Sequence, residues 1–297
     1  MKYILKCIVG IFIIIFVWIL FSGNIGKVVQ VFSSKNTNSL IKTQGKVAED
    51  NQYNEIPSVT SVSALTLDVS DNKIIYAKNI HRRMYPASTT KLLTAQVFAD
   101  SENKNSLITY TRDSKMQPQS KLDLIVGENL RGDTAMKAML IYSANDVAEA
   151  IGENVAGNIP TFAEKMNEKA SSLGLKESHF ANANGLPNEN HYTTAYDLSK
   201  IAKNVYNYPW IMNTIEEKSD DIKTRGRYIH LENTNKLLGI KGCIAGKTGY
   251  TAAAGRCLVA YYERNNKKMI GIVLSSTNEQ TVDVDMEKII DWSYGKL

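Results

Sequence analysis

Residues 85–91 read Tyr85-Pro-Ala-Ser-Thr-Thr-Lys91 and open a helical pattern that continues to Ala99. Pro86 and Ser88 are helix-start signals, so Ser88 is predicted at or just inside a helix N-terminus. Ser88 and Lys91 are three residues apart, which places both side chains on one face, one turn apart. A serine hydroxyl with a lysine amine in contact is a possible acyl-transfer nucleophile and its base.

Strand patterns lie on both sides of a helical region. Alternating runs at 61–68 and 73–77 predict a β-hairpin. Helical patterns follow at 133–143, 146–154, 161–173 and 196–205, then strand patterns at 244–250, 257–263 and 269–275, and a last helix at 282–294. This order predicts an α+β fold with one antiparallel sheet built from both ends of the domain, helices on its faces and an inserted, mainly helical region.

Two further motifs follow the first in the chain. Ser143-Ala-Asn145 falls between two predicted helices, where a loop can project side chains into a cleft, and Lys247-Thr-Gly249 lies on a predicted strand. Ser-x-x-Lys and Ser-x-Asn recur elsewhere in the sequence, whereas Lys-Thr-Gly occurs once. The order and local context of the three motifs therefore carry the prediction, not any one of them.

The first two motifs can divide the work of acyl transfer. Lys91 can act as the base if partial burial and a second cation, Lys247, keep its amine neutral. The Ser143 hydroxyl could pass a proton between Lys91 and a leaving amine. The Asn145 amide could hold either a substrate carbonyl or the lysine.

The third motif is predicted to bind the substrate. Strand alternation sends Lys247 and Gly249 to one face, and Gly249 leaves room for a substrate backbone beside the strand edge. The N–H of Tyr250 could complete an oxyanion hole with the N–H of Ser88.

Simpler interpretations of these residues remain open. Taken alone, Ser88 with Lys91 reads as a capping serine and a solvated lysine, and Asn145 reads as a cap of the helix that begins at Asp146. The histidines are dispersed without ligand spacing, which favours surface or packing roles and predicts no metal and no cofactor. These four residues are His81, His179, His191 and His230.

The N-terminal part of the 297-residue chain predicts export. Lysines precede an unbroken apolar run at 7–21, so residues 1–23 are predicted as a membrane anchor or signal segment with the remainder outside the cell. Residues 24–57 are predicted as a flexible polar linker and 58–297 as the catalytic domain. The net charge of +5 comes from scattered lysines and gives no nucleic-acid signal.

Two cysteines follow the targeting segment. If the strands around them pair through a turn near residues 252–253, Cys243 faces Tyr262 and Cys257 faces a residue near Thr248. This offset exceeds the reach of a disulfide. We therefore expect two free, buried thiols.

The three motifs occur with further strings of a known family. These are Phe162-Ala-Glu-Lys-Met-Asn-Glu-Lys169, Ser178-His-Phe180, Asn184-Gly-Leu186, His191-Tyr-Thr-Thr-Ala195 and Asn233-Thr-Asn-Lys-Leu-Leu238. Over about residues 61–294 the chain resembles the low-molecular-mass penicillin-binding proteins, which are serine-type D-alanyl-D-alanine carboxypeptidases.

The resemblance implies a β-lactamase/transpeptidase-like fold and a specific reaction. It implies removal of the terminal D-alanine from peptidoglycan stem peptides through an acyl-enzyme on Ser88, and acylation by β-lactams. It implies that Lys91 is the base and that Ser143 and Asn145 form the second motif. By the same resemblance, Lys247 and Thr248 grip the terminal carboxylate of the substrate.

The chain departs from many relatives in two ways. Relatives often carry an arginine after the last core strand that aids carboxylate binding, and residues 276–285 contain none. Many also carry a C-terminal β-rich domain and a trailing amphipathic helix, whereas this sequence ends at Leu297. We expect the N-terminal segment to provide the membrane anchor.

Three alternative functions use the same residues. A serine β-lactamase would need a second base for deacylation, and the Glu-x-x-Leu-Asn string that supplies it in one well-known class is missing between Asn145 and Lys247. A non-catalytic β-lactam sensor or wall-binding module is a second alternative. An endopeptidase that cuts cross-links is a third, and the sequence does not exclude it.

Overall fold

The computed structural model describes residues 55–297, of which residues 56–297 form one compact unit. The predicted segment 1–23 and nearly all of the predicted linker at 24–57 lie outside the described residues, so both remain predictions. Among residues 55–297, no helix has the length and apolar character needed to cross a membrane.

A five-stranded antiparallel sheet forms the centre of the structure. Its strands are β1 (Ser63–Asp68), β2 (Lys73–Lys78), β7 (Cys243–Thr251), β8 (Gly255–Arg264) and β9 (Lys267–Ser276). Their order across the sheet is β2-β1-β9-β8-β7. Two short hairpins pair β3 (Leu107–Thr109) with β4 (Asn129–Arg131), and β5 (Ser219–Lys223) with β6 (Tyr228–Glu232). The strand β7, which carries Lys247-Thr-Gly249, forms one edge of the large sheet.

The helices lie mainly between β2 and β7 in the chain. They are α1 (Lys91–Ser101), α2 (Arg112–Met116), α3 (Gly132–Leu140), α4 (Asn145–Ala156), α5 (Ile159–Ser172), α6 (Ala195–Asn204), α7 (Pro209–Glu216) and α8 (Glu279–Tyr294). Short 3₁₀ turns occur at Ala87–Thr90 and Val205–Asn207. The predicted α+β arrangement is confirmed, because a helical region is inserted between the two parts of one antiparallel sheet.

The first strand joins the last one. β1 pairs with β9 along its whole length, from Ser63 opposite Leu274 to Asp68 opposite Met269. The sheet is therefore built from both ends of the domain, as the sequence predicts.

Each face of the sheet packs against helices. On one face, Leu258 and Val273 pack with Met286 and Ile289 of α8. On the other face, Val259 and Ile272 belong to a larger core shared with the inserted helices. Alternating side chains along β8 and β9 thus enter two different cores, which is why both strands read as almost continuously apolar.

The register of β7 and β8 decides the state of the two cysteines. Cys243 lies opposite Tyr262, as predicted, and Cys257 lies opposite Gly249, one residue from the predicted partner. Both thiols are free and buried, which confirms that prediction.

Several elements differ from the sequence prediction. The helix predicted from Ser88 begins as the 3₁₀ turn Ala87–Thr90 before it becomes α1. The C-terminal helix starts three residues earlier than predicted, because Asn278 and Thr281 form a reciprocal capping box at its N-terminus. The short or charged elements were not predicted at all, namely β3, β4, β5, β6, α2 and α7.

Candidate active site

The Ser88 turn combines an unusual backbone with close packing. Ser88 lies in the 3₁₀ turn, in which side chains three residues apart eclipse one another, so Ser88 and Lys91 point the same way. The preceding residue, Ala87, has a φ of +48°, in the left-handed region. A Cβ on Gly185 would lie 1.9 Å from the carbonyl oxygen of Ala87, so only glycine permits this contact.

The amine of Lys91 is fully buried and has three oxygen neighbours. Its Nζ lies 2.8 Å from Ser88 Oγ, 2.8 Å from Asn145 Oδ1 and 2.7 Å from the backbone oxygen of Asn184. Burial excludes the interpretation of Lys91 as a solvated lysine.

The identity of these neighbours fixes the direction of each hydrogen bond. The oxygens of Asn145 and Asn184 are carbonyls and can only accept, so they take two N–H groups of Lys91. A neutral amine has only two N–H groups, and its lone pair then faces the Ser88 hydroxyl. The geometry is that of a base placed to accept the Ser88 proton.

Electrostatics favour the neutral amine at this position. Burial, with the nearby charge of Lys247, holds the pKa of Lys91 well below its usual range, and Asp146 opposes this effect. Burial also lowers the pKa of Lys247, to about 7. The two lysines therefore share a site that disfavours two positive charges at once.

The second motif lies at the junction between α3 and α4. Ser143 has a φ of +67°, and its hydroxyl accepts a hydrogen bond from Lys247 Nζ at 2.9 Å. No hydrogen bond joins Ser143 to Lys91 among the described residues, so the predicted proton transfer between them is not seen as a direct contact. Ser143 instead connects the second motif to the third.

Asn145 faces the lysine and does not cap a helix. Ala144 is the N-cap of α4 and provides no side-chain cap, whereas Asn145 is the first helical residue. While Asn145 Oδ1 accepts from Lys91, its Nδ2 donates to the backbone oxygen of Gln119 at 2.8 Å. The interpretation of Asn145 as a helix cap is therefore wrong.

The third motif brings β7 against the Ser88 turn. Lys247 is buried and points toward Ser143, while Thr248 Oγ1 donates a hydrogen bond to Thr234 Oγ1. A Cβ on Gly249 would lie 2.8 Å from the backbone nitrogen of Ser88 and 3.1 Å from the carbonyl oxygen of Pro86. Glycine thus lets the strand approach the Ser88 turn.

This close approach concerns the predicted oxyanion site. Gly249 has no room for a Cβ beside the Ser88 backbone nitrogen, and Tyr250 is the next residue along the strand edge. Two N–H groups, from Ser88 and Tyr250, are the predicted donors to an oxyanion. They remain a prediction for the state with substrate bound.

An open groove of about 670 Å³ runs over these residues. One end is lined by Ser88, Ser143 and Asn145, and the β7 edge contributes Thr248, Gly249 and Tyr250. An extended peptide can therefore lie along β7 with one carbonyl above Ser88. Such a site can perform serine-based acyl transfer on a peptide-like substrate.

Comparison with protein families supports the same interpretation. Residues 50–278 match the peptidase S11 family model, described as D-alanyl-D-alanine carboxypeptidase. The chain belongs to this family. It is 30% identical to the D-alanyl-D-alanine carboxypeptidase DacF of Bacillus subtilis over 241 residues, which make up 79% of this chain and 62% of DacF. The chain thus spans less than two thirds of the length of DacF.

Other proteins similar to this chain carry different reaction names. A D-alanyl-D-alanine endopeptidase of Escherichia coli is 29% identical over 243 residues, which cover 80% of this chain and 78% of that enzyme. The crystal structure of the Streptomyces K15 DD-transpeptidase superposes with a TM-score of 0.77 at 28% identity, covering 81% of this chain and 99% of that structure. The predicted family and its β-lactamase/transpeptidase-like fold are confirmed.

Three contributors to the site of this S11 peptidase had no predicted role. They are the backbone oxygen of Asn184, the hydroxyl of Thr234 and the backbone oxygen of Gln119. Asn184 and Thr234 lie in sequence strings on which the family resemblance is based. The sequence therefore singled out both residues but did not predict what they contact. Gln119 lies in a segment with no motif, and its contribution is a main-chain oxygen that any residue could supply.

The histidines have partners outside this chemistry. Burial lowers the pKa of His191 to about 3; its Nδ1 accepts from the Ala181 N–H at 3.1 Å, and its Nε2 lies 2.9 Å from Thr90 Oγ1. It is a neutral packing residue behind the Ser88 helix. The other three make contacts with Glu177, Asn190 and Asp221.

Proposed function

We propose that this S11 peptidase is a serine-type D-alanyl-D-alanine carboxypeptidase that removes the terminal D-alanine from peptidoglycan stem peptides. The observation that carries the proposal is the placement of Lys91, whose lone pair faces Ser88 when two carbonyl oxygens take its N–H groups. Family membership supports the substrate class.

In the proposed acylation step, Ser88 Oγ attacks the carbonyl carbon of the penultimate D-alanine. Lys91 takes the hydroxyl proton, and the oxyanion receives hydrogen bonds from the N–H groups of Ser88 and Tyr250. The C–N bond then breaks, and the leaving amine takes the proton held by Lys91, relayed through Ser143, so that Lys91 is neutral again. Free D-alanine departs, and an ester on Ser88 remains.

The proposed deacylation reverses the roles of the same groups. A water molecule takes the position of the departed amine and gives a proton to Lys91 as it attacks the ester. The ester C–O bond breaks, Ser88 regains its proton, and the shortened peptide leaves with a new carboxylate. β-lactams acylate Ser88 by the same first step, and their leaving amine stays tethered.

A serine β-lactamase is the weaker alternative. Rapid release of a penicilloyl ester needs a second base beside the ester, often a carboxylate. Among residues 55–297, no carboxylate is hydrogen-bonded to Ser88, Lys91, Ser143 or Asn145. A long-lived β-lactam adduct is therefore the expected outcome. A ligand response that survives in Ser88→Ala would instead favour a non-catalytic sensor.

The proposed location is the outer face of the bacterial cell membrane. The basic and apolar pattern of residues 1–23 supports export and a single anchor. Fractionation of cells, followed by protease treatment of intact spheroplasts, tests it. Recovery of the full-length chain from the cytosol would contradict the proposal, and recovery from the medium would mean that the segment is cleaved.

The decisive experiment incubates the purified protein with a pentapeptide that ends in D-Ala-D-Ala. We expect free D-alanine, and a penicillin adduct that peptide mapping places on Ser88. The Ser88→Ala variant is expected to lose both, whereas Ser172→Ala, at an exposed site on α5, keeps both. Absence of both signals in the unmodified protein overturns the proposal. Cleavage of only a cross-linked dimer identifies an endopeptidase.

A further inference from the structure

The groove continues beyond the nucleophile to a charged end. Past Thr248 and Tyr250 on β7, its wall is formed by Arg256 of β8 and by Glu279 from the first turn of α8. None of the predicted site residues lies at this end. The segment 276–285 contributes Glu279 to this end of the groove and contains no arginine.

Strand geometry places Arg256 on the same side as Thr248. Tyr250 is the cross-strand partner of Arg256, so the two side chains share one face of the sheet. Thr248 precedes Tyr250 by two residues and shares that face as well. Lys247 lies on the opposite face, buried against Ser143.

Arg256 stacks on a tyrosine, but its hydrogen-bond donors are not used. Its guanidinium carbon lies 4.1 Å from the centre of the Tyr250 ring. Its NH2 is 3.9 Å from Glu279, whose carboxylate already lies 2.6 Å from Lys236 Nζ. Among the described residues the guanidinium makes no hydrogen bond, so its donors are free for an incoming anion.

The proposed substrate delivers an anion to this place. With the scissile carbonyl at Ser88, the terminal carboxylate lies one residue, about 3.5 Å of extended chain, further along the β7 edge. A planar guanidinium can bind a carboxylate through two parallel hydrogen bonds. Lys247 faces Ser143 under the nucleophile and is poorly placed to do this alone.

We propose that Arg256 binds the free terminal carboxylate of the substrate together with Thr248, and that this carboxylate displaces Glu279 as the partner of the guanidinium. This inference rests on the proposed function. It specifies the substrate class as peptides with a free C-terminal carboxylate. An arginine from β8 would thus supply the cation that residues 276–285 do not.

The test compares two peptides that differ only at the C-terminus, one with a free acid and one with an amide. In Arg256→Gln, the KM for the acid is expected to rise about 10-fold or more, while kcat changes little, because a charge-assisted contact is lost. The KM for the amide should stay within about 2-fold of the wild-type value, since the amide gains little from the guanidinium. Arg256→Lys should restore part of the acid preference, because lysine keeps the positive charge but lacks the two parallel N–H donors of the guanidinium.

The matched control is Arg83→Gln. Arg83 also stacks on a tyrosine, with its guanidinium 4.6 Å from the Tyr192 ring, but it does not line the groove. We expect Arg83→Gln to leave both KM values unchanged. If Arg256 only supports the fold, Arg256→Gln weakens turnover of acid and amide equally, and the inference fails.

A second variant covers the case in which Arg256→Gln does not fold. Glu279→Gln keeps the arginine and removes the competing carboxylate that lies 3.9 Å from it, so the KM for the acid should fall and that for the amide should not. An unchanged or higher acid KM overturns the inference. If the wild-type protein cleaves neither peptide, the proposed function fails instead, so the two failures are distinguishable.

Discussion

Asn184 donates a hydrogen bond from Nδ2 to the carboxyl group of Glu149 at 3.2 Å, behind the site. The backbone oxygen of the same asparagine accepts from Lys91 at 2.7 Å. A buried carboxyl group on α4 thus positions the residue that orients the proposed base. The ionisation of Glu149 is expected to affect the stability of the domain more than the chemistry.

The first prediction concerns the stability cost of Glu149. Burial, together with Glu153 and Asp113, raises the pKa of Glu149 to about 7, so the folded state binds its proton more tightly than the unfolded state. Stability is therefore lost as the pH rises from the unfolded pKa, about 4.3, to about 7. Glu149→Gln keeps an acceptor for Asn184 and is expected to stabilise the protein by about 1–3 kcal/mol at pH 8.

Urea denaturation of Glu149→Gln and the wild type at pH 8 and pH 5 measures this difference. We expect a smaller gain at pH 5, which lies near the start of this range, because the folded wild type is still protonated there. Equal stability at pH 8 would show that Glu149 carries no such cost. The neighbouring Glu164→Gln, on the exposed side of α5, is the control and should change neither value.

The second prediction concerns the base. Lys91→Met fills the buried site without a charge but removes the proton acceptor, so acylation of Ser88 should slow by about 100- to 10,000-fold. Stopped-flow or gel detection of a fluorescent penicillin adduct measures the rate. Lys176→Met, at an exposed position, should leave the rate unchanged. Acylation of Lys91→Met within about 10-fold of the wild type would assign the base elsewhere.

Much of the fold follows from local pattern. The pairing of Cys243 with Tyr262 follows from the position of the turn between β7 and β8, because the turn of a hairpin sets the register of its two strands. Asn265 and Asn266 form the next hairpin with positive φ values of 50° and 62°, which asparagine tolerates well. The order of strands and helices then leaves few ways to close the sheet.

The unpredicted parts lack such signals. The three-residue strand Leu107–Thr109 is too short to show alternation, and the strand Ser219–Lys223 carries charges on most positions. Nothing local marks the left-handed backbone of Ala87, and its close contact with Gly185 joins residues about 100 positions apart in the chain. The same is true of the Asn184 carbonyl, since any residue has one. Motif spacing therefore predicted the side chains of the three motifs, but not the main-chain contacts of Asn184 and Gln119 or the hydroxyl of Thr234.

The third prediction is a pH dependence set by two lysines. Acylation needs neutral Lys91, whose pKa lies well below its usual range, and charged Lys247, whose pKa is about 7. The value of kcat/KM for a carboxylate-bearing penicillin should therefore fall as the pH rises through about 7, because Lys247 loses its proton. A bound carboxylate favours charged Lys247, so kcat should fall at higher pH than kcat/KM does.

Rate profiles between pH 5 and pH 10 test this prediction. In Lys247→Arg the cation keeps its charge throughout this range, so the alkaline fall should disappear from whatever activity remains. A wild-type profile that stays flat to pH 9, or an unchanged alkaline fall in Lys247→Arg, would contradict the assignment.

The fourth prediction concerns the approach of β7 to the nucleophile. In Gly249→Ala the new methyl group would lie 2.8 Å from the Ser88 nitrogen and 3.0 Å from Ala87 Cβ. These neighbours belong to a tight turn and cannot rotate away, so either β7 or the turn must shift. A shift of this kind displaces the proposed oxyanion donors, and acylation should slow by about 100-fold or more.

The matched control for this clash is Gly226→Ala, because a Cβ at Gly226 meets no atom within 4 Å. We expect Gly226→Ala to keep wild-type acylation and Gly249→Ala to lose it while retaining a cooperative thermal transition. If Gly249→Ala acylates at the wild-type rate, the turn tolerates displacement, and the Ser88 and Tyr250 N–H groups are not the donors that stabilise the oxyanion. A loss of the folded state in Gly249→Ala alone would instead mean that this contact holds the sheet edge to the helical region.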